Sequence, residues 1–211
     1  MVVAILLTVA GLVMPTVQSD SALRKIQTMV ARPAVMCGEF EQRKTLLGLQ
    51  HPVRSTGRFC VMAERGVLWT TQSPFPSTLR LTRAEIVESR GDHVTSRLSA
   101  KQEPAVGMIS DLLFSVLAGD FMQLRVGFTI SASAESAAWH AKLVPKDAGL
   151  RRVIRSIELG GAEFVRQITI AESSGDQTAI AFTNVTSGLG ALKPEEVAAF
   201  GVPAGRGSHQ N

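Results

Sequence analysis

The chain has 211 residues, of which 45% are hydrophobic, and it carries a formal net charge of +4. This length and composition suit one domain with a substantial apolar core and exclude a disordered or fibrous chain. The 22 lysine and arginine residues are scattered and mostly lie apart from aromatic residues, which argues against a nucleic-acid binder. The mildly basic balance instead favours approach to anionic membrane surfaces.

The first residues resemble an export signal. Val2–Val13 form an apolar run that is long enough for the core of a signal peptide and too short for a comfortable membrane span. Val17 and Ser19 then provide small side chains at the two positions that a signal peptidase reads. We therefore predict a signal peptide over residues 1–19, cleavage after Ser19 and a periplasmic location. An uncleaved N-terminal anchor is the alternative.

Export gives the two cysteines a structural interpretation. Cys37 and Cys60 fall in two neighbouring predicted strands that are joined near Gly48. If these strands pair as a hairpin, the two cysteines lie almost opposite each other in an oxidising compartment. Either a disulfide or two buried small side chains fits this arrangement. No cluster of cysteine and histidine has metal-ligand spacing, so we expect neither a metal nor another cofactor.

Hydrophobic patterning predicts two helices in the first part of the chain. Leu23, Ile26 and Val30 recur at helical spacing within a helix over residues 21–31. A second, strongly apolar helix over residues 103–119 interrupts the strand pattern. A helix this apolar must be covered on most sides or must line a cavity.

The remaining segments read as strands separated by turn residues. We predict strands over residues 35–44, 55–63, 66–72, 78–82, 85–89, 93–98, 121–132, 138–144, 152–159, 164–172 and 177–184, with a last short helix over 194–200. The spacing is that of an antiparallel meander, so the fold class is α+β and mainly antiparallel β. We expect a single domain over residues 20–203 and a flexible tail over 204–211.

Several short motifs carry a family resemblance. Phe40-Glu41-Gln42-Arg43-Lys44 lies in the first predicted strand, Gly57-Arg58-Phe59 opens the second, and Arg65 is followed by Trp69. Together with the order of helices and strands, these motifs resemble the periplasmic outer-membrane lipoprotein carrier family, LolA. The resemblance covers nearly the whole chain after residue 19.

The resemblance implies an unclosed, curved β-barrel covered by short helices around a hydrophobic cavity. It also implies a carrier that accepts acylated lipoproteins from an inner-membrane release complex, shields their acyl chains, and passes them to an outer-membrane acceptor. The cargo is then a lipoprotein or a related lipid- or polyene-like molecule, and we expect the carrier to be a monomer. Arg65 matches the family's arginine that latches the lid helices.

Apolar side chains are the candidates for lining this cavity, because a sheet with one apolar face cannot leave that face in water. Ordinary core packing is the alternative for each of them. The candidates are Met62, Trp69, Phe75, Leu79, Leu81, Leu113, Phe114, Leu117, Phe121, Phe128, Ile130 and Trp139.

The sequence contains little that indicates catalysis. None of the four histidines has a partner at motif spacing, and there is no Gly-x-Ser-x-Gly or phosphate-binding glycine motif. We therefore expect a binding protein and not an enzyme, with an acyl hydrolase as the weakest alternative. A membrane-associated interaction module with a packed core and no cavity is the other alternative.

Overall fold

The structure is a computed structural model that describes residues 16–102, 112, 114–116 and 120–201. Eleven strands form one antiparallel sheet in the order β6-β5-β4-β3-β2-β1-β11-β10-β9-β8-β7. The strands are β1 (Val35–Thr45), β2 (Val53–Met62), β3 (Gly66–Ser73), β4 (Ser77–Leu81), β5 (Glu85–Arg90), β6 (His93–Ser99), β7 (Phe128–Ala134), β8 (Trp139–Pro145), β9 (Ile154–Gly161), β10 (Val165–Glu172) and β11 (Gln177–Ser187). Because β6 and β7 are free edges, the sheet does not close. The predicted fold class is confirmed.

Short helices accompany the sheet. They are α1 (Thr16–Met29), α2 (Phe121–Gly127), α3 (Ala148–Arg151) and α4 (Pro194–Ala199), with a 3-10 turn over Leu189–Ala191. Residues 112 and 114–116 are helical as predicted, and the rest of the predicted central helix lies outside the described residues. Most of the predicted signal peptide and the predicted tail also lie outside them. No helix in the described ranges is long and apolar enough to cross a membrane.

One predicted strand is wrong in its first half. Residues 121–127 form α2, and β7 begins only at Phe128. The carboxylate of Asp120 caps the helix by accepting a hydrogen bond from the Gln123 backbone N–H at 3.4 Å. Phe121 and Leu124, one helical turn apart, are its buried side chains. The cap and the three-residue spacing outweigh the strand propensity of the segment.

The strand register divides the side chains between two faces. Phe40 lies opposite Gly57 and Phe182, whereas Glu41 lies opposite Thr56 and Ala181. We call the face that carries Phe40 the inner face, because its apolar side chains form one core with the buried residues of α1 and α2. The face that carries Glu41 is the outer face.

A small second core lies on the outer face around the cysteines. It comprises Val35, Cys37, Cys60, Met62, Leu68 and Phe200. Cys37 lies directly opposite Cys60 in the β1–β2 pairing, and their sulfur atoms form a disulfide. The C-terminal segment, from the 3-10 turn to Gly201, covers this core.

Removing the disulfide should destabilise the protein measurably. Cys37→Ala/Cys60→Ala releases a cross-link between residues 23 positions apart, which is expected to lower the free energy of unfolding by about 3 kcal/mol. Urea denaturation monitored by circular dichroism measures the change. Reduction of the unmutated protein separates the loss of the cross-link from the loss of packing. An unchanged unfolding midpoint after complete reduction would contradict the prediction.

Candidate functional site

Aromatic side chains fill the centre of the inner face. The ring centroids of Phe40 and Trp69 are 3.9 Å apart in a stacked pair, and those of Phe59 and Phe182 are 4.8 Å apart, edge to face. Gly57 lies beneath the Phe40 ring, with no side chain to hold the ring away from the sheet. The strands β1, β2, β3 and β11 thus contribute a continuous aromatic floor.

A second aromatic contact joins the sheet to α2. The ring centroids of Phe121 and Trp139 are 5.0 Å apart, edge to face, and neither side chain is exposed. The indole Nε1 of Trp139 donates a hydrogen bond to the carbonyl oxygen of Ala162 at 2.7 Å. This bond satisfies the one polar group of the tryptophan, so the ring holds α2 against β8.

An open pocket of about 580 Å³ lies between the helical residues 112 and 114–116, α2 and the start of β7. Its apolar lining consists of Ala63, Leu112, Phe114, Leu124, Val126, Phe128 and Leu150. The volume falls within the roughly 300–1,000 Å³ of small-molecule sites. A ligand in this pocket would contact Leu112, Phe114 and Ser115, which belong to the described part of the central apolar helix.

Polar and charged side chains line the rest of this pocket, namely Arg83, Ser115, Asp120, Gln123 and Asp147. The carboxylates of Asp120 and Asp147 line it, but each accepts a hydrogen bond from a helix N–H, that of Gln123 and that of Leu150. The guanidinium carbon of Arg83 lies 5.4 Å from the centroid of the Phe114 ring, a cation–π distance. The pocket therefore combines an apolar lining with two carboxylates and one guanidinium group.

A hollow of about 700 Å³ on the other side of the sheet has a different character. Its lining includes Glu39, Glu41, Arg43 and small side chains of β10 and β11. Hydrogen bonds first from Arg43 and then from Arg54 lower the pKa of the Glu41 carboxyl. Because charged pairs and threonines dominate this outer hollow, it does not suit an acyl chain.

The structure brings most of the predicted cavity residues together in the inner-face core. These are Trp69, Leu79, Leu81, Phe114, Phe121, Phe128, Ile130 and Trp139. Two predictions are corrected. Met62 packs in the outer core because Val61, its neighbour in β2, takes the inner position, and Phe75 is 76% exposed in the turn between β3 and β4. Leu113 and Leu117 lie outside the described residues.

Arg65 contacts the C-terminal segment. Its Nη1 donates hydrogen bonds to the carbonyl oxygens of Phe200 at 2.9 Å and Gly201 at 2.7 Å. Arg65 therefore holds the C-terminal segment, and among the described residues no bond from it to the central helix is seen. The role of Arg65 as a latch on the lid helices stays a prediction, because most of the central helix lies outside the described residues.

Sequence reasoning missed several residues of the site. Phe40, Phe59 and Phe182 form the aromatic floor, yet the first two were noted only as family motif residues. The alternation of side chains along a strand could have identified them, because each lies at the alternate positions that face the inner side of the sheet. Leu124 and Leu150 line the pocket from short helices, where patterning predicts a strand at Leu124 and no element at Leu150.

Comparison with known families decides the relationship. The sequence matches the family described as outer membrane lipoprotein carrier protein LolA-like over residues 15–195. The chain belongs to this family. The family is one of carrier proteins of the bacterial envelope, and the open antiparallel sheet with few short helices is the LolA-like fold. No curated protein matches the chain.

Solved structures with similar folds are distant in sequence. A LolA superfamily protein from Nitrosomonas europaea is 9% identical, with a TM-score of 0.47, covering 86% of this chain and 97% of that one. A DUF1329 family protein from Desulfovibrio piger is 11% identical, with a TM-score of 0.46, covering 87% and 97%. A chain of the Pseudomonas aeruginosa MucA/MucB complex is 16% identical, with a TM-score of 0.46, covering 85% of this chain and 60% of that chain.

Proposed function

We propose that this LolA-like protein is a periplasmic carrier that shields the acyl chains of a lipoprotein, or of a related lipid-like cargo, during transfer between membranes. The observation that carries the proposal is the largely apolar pocket of about 580 Å³ between the central helix, α2 and the start of β7. Membership of the carrier family supports the same role. The donor is then an inner-membrane release complex, and the acceptor is an outer-membrane protein.

The driving force for cargo binding is the burial of hydrocarbon. Each methylene that moves from water into an apolar site contributes about 0.8 kcal/mol, so a long acyl chain supplies a large gross gain. The pocket lining from Leu112, Phe114 and Leu124 provides such an environment. Release of the cargo then requires that the free-energy cost of opening the helices offsets part of this gain. The short helices over the sheet are suited to this, because a small packed area costs little to separate.

Arg83 is the group that would recognise the polar end of the cargo. It lines the pocket and lies against the ring of Phe114. A guanidinium can donate to several carbonyl oxygens at once, so it suits the ester and amide carbonyls that join acyl chains to a lipoprotein. The acyl chains would then lie inward, along the apolar lining, with their linkage at the edge.

Native mass spectrometry tests this proposal. Protein purified from the periplasm without detergent is mixed with a triacylated cysteine peptide or with the same peptide lacking acyl chains. A carrier should form a one-to-one complex with the acylated peptide alone. No complex with the acylated peptide, in protein shown to be free of extracted lipid, would overturn the proposal.

A photoreactive acyl probe locates the site in the same protein. A fatty acid that carries a diazirine near the end of its chain should crosslink to residues 112–116 or to α2 and the start of β7. Labelling confined to the outer hollow would place the cargo elsewhere and contradict the assignment of the pocket.

An interaction module with a packed core is the second candidate. The stacked and edge-to-face contacts among Phe40, Trp69, Phe59 and Phe182 favour it, because they already fill the centre of the inner face. A packed module would leave the acylated peptide and an apolar dye unbound in the folded state. The two candidates are therefore separated by the experiment on the peptide.

A further inference from the structure

Exposed apolar side chains gather at one end of the sheet. The β1–β2 hairpin carries Leu47, which is 79% exposed, Leu49, which is 55% exposed, and Val53 at the start of β2. Val153, which is 60% exposed, precedes β9. Strands β1, β11, β10 and β9 are neighbours in the sheet and antiparallel, so these loops emerge at the same end. We call Leu47, Leu49, Val53 and Val153 the rim patch.

Contacts between the loops join the rim patch into one surface. The backbone N–H of Leu47 donates to Asp176 Oδ1 at 2.8 Å, which fixes the hairpin to the β10–β11 turn. In that turn, Ser173 donates from its backbone N–H to the carbonyl of Val153 at 2.9 Å and from its hydroxyl to the carbonyl of Arg151 at 2.7 Å. The leucines and Val153 are thus presented together on ordered loops.

Basic side chains lie near the rim patch, and two of them have no acidic partner in the described part of the chain. Arg43 and Arg54 share a single carboxylate, that of Glu41. Arg151 and Arg152 are exposed, and within the described ranges neither side chain forms a hydrogen bond or an ion pair.

The nearby acidic groups are already engaged. Asp176 accepts the Leu47 N–H, Asp147 accepts the Leu150 N–H, and Glu172 pairs with Lys44 at 3.0 Å. Bonds from backbone N–H groups leave the carboxylates of Asp176 and Asp147 charged. Arg151 and Arg152 are thus the cations beside Val153 that no carboxylate pairs with among the described residues.

We propose that the rim patch docks the protein on an anionic lipid bilayer, with Leu47 and Leu49 inserted among the headgroups and the arginines on lipid phosphates. Exposed leucines at loop tips beside arginines that lack an acidic partner are the pattern of an interfacial membrane contact. The patch projects from turns. This inference goes beyond cargo shielding, because it concerns how the protein meets a membrane and needs no bound acyl chain.

Vesicle co-sedimentation tests the docking. Protein purified from the periplasm is mixed with vesicles of phosphatidylcholine alone or of phosphatidylcholine with phosphatidylglycerol. We expect binding to the anionic vesicles that weakens as salt is raised. Leu47→Ser/Leu49→Ser should reduce the partition coefficient about tenfold or more, because two apolar side chains no longer leave water. Arg151→Gln/Arg152→Gln should remove most of the preference for phosphatidylglycerol.

The matched control is Leu189→Ser. Leu189 is 68% exposed but follows β11, at the opposite end of the sheet, so this variant should bind vesicles as the unmutated protein does. All variants share the same N-terminus, so its apolar run cannot explain a difference between them. Leu47→Ser/Leu49→Ser should also bind the triacylated peptide normally, which separates failure of docking from failure of cargo binding.

Three results would overturn the docking proposal. The first is no binding of the unmutated protein to anionic vesicles. The second is equal binding by Leu47→Ser/Leu49→Ser and the unmutated protein. The third is concentration-dependent dimerisation in sedimentation, abolished by the leucine substitutions and without vesicle binding, which would assign the patch to a second copy of the chain.

Discussion

Gly57→Ala is expected to cost about 4 kcal/mol or more of the free energy of unfolding, an exceptional loss for one methyl group. A Cβ at this position would lie 2.0 Å from the carbonyl oxygen of Thr70 and 2.7 Å from Cζ of Phe40. The Thr70 oxygen belongs to the backbone of the neighbouring strand and cannot rotate away. The β2–β3 register also shifts between Thr56 and Gly57, so the two strands depend on this close approach.

The measurement is urea denaturation of Gly57→Ala beside Gly190→Ala. A Cβ at Gly190 would meet no atom within 4 Å, so that variant should unfold at the same urea concentration as the unmutated protein. If Gly57→Ala is too unstable to purify, its soluble yield relative to Gly190→Ala provides the comparison. Equal midpoints for the two variants would show that β2 and β3 can separate without cost.

The consequence for function concerns the aromatic floor. Any folded Gly57→Ala protein must move the Phe40 ring, which stacks on Trp69 with centroids 3.9 Å apart. Tryptophan fluorescence should therefore shift even where the variant remains folded. The close approach of the Thr70 oxygen and the Phe40 ring is a physical reason for a glycine at this position inside β2.

Arg58→Met is expected to destabilise the protein by about 3 kcal/mol, because it leaves the carboxylate of Glu196 without its cation. Arg58 Nε lies 2.7 Å from Glu196 Oε1, and the two side chains are only 19% and 11% exposed. Arg58 Nη2 also donates to the carbonyl of Ala191 at 2.6 Å. The arginine thus ties the outer face of β2 to both the 3-10 turn and α4.

Hydrogen exchange distinguishes this role from general destabilisation. In Arg58→Met, the exchange rates of the amides of residues 194–201 should increase, relative to the unmutated protein, more than those of β7 and β8. The reason is that the C-terminal segment opens first. The control is Arg58→Met/Glu196→Leu, in which no buried carboxylate is left unpaired. It should recover most of the lost stability. If the double variant is as unstable as the single one, the ion pair is not the cause.

The sequence by itself determined the strands, their antiparallel order and the family. Alternation of apolar and polar side chains has a period of two in a strand, so β1, β2 and β8–β11 were predicted almost to their ends. The same alternation could not predict α2, because this helix depends on a cap at Asp120 and on two buried residues spaced by three positions. Such short helices are stabilised by packing more than by propensity.

Only the tertiary structure decided which face each residue occupies and what its partners are. Met62 and Val61 are adjacent and both apolar, but register places them on opposite faces, so only Val61 joins the inner core. Phe75 lies in a turn beyond the sheet, where its apolar character does not bury it. Arg65 and Arg58 bind a segment about 135 residues later in the chain, at Phe200 and Glu196. Local pattern carries no information on such distant pairs, because the folding of the whole sheet brings them together.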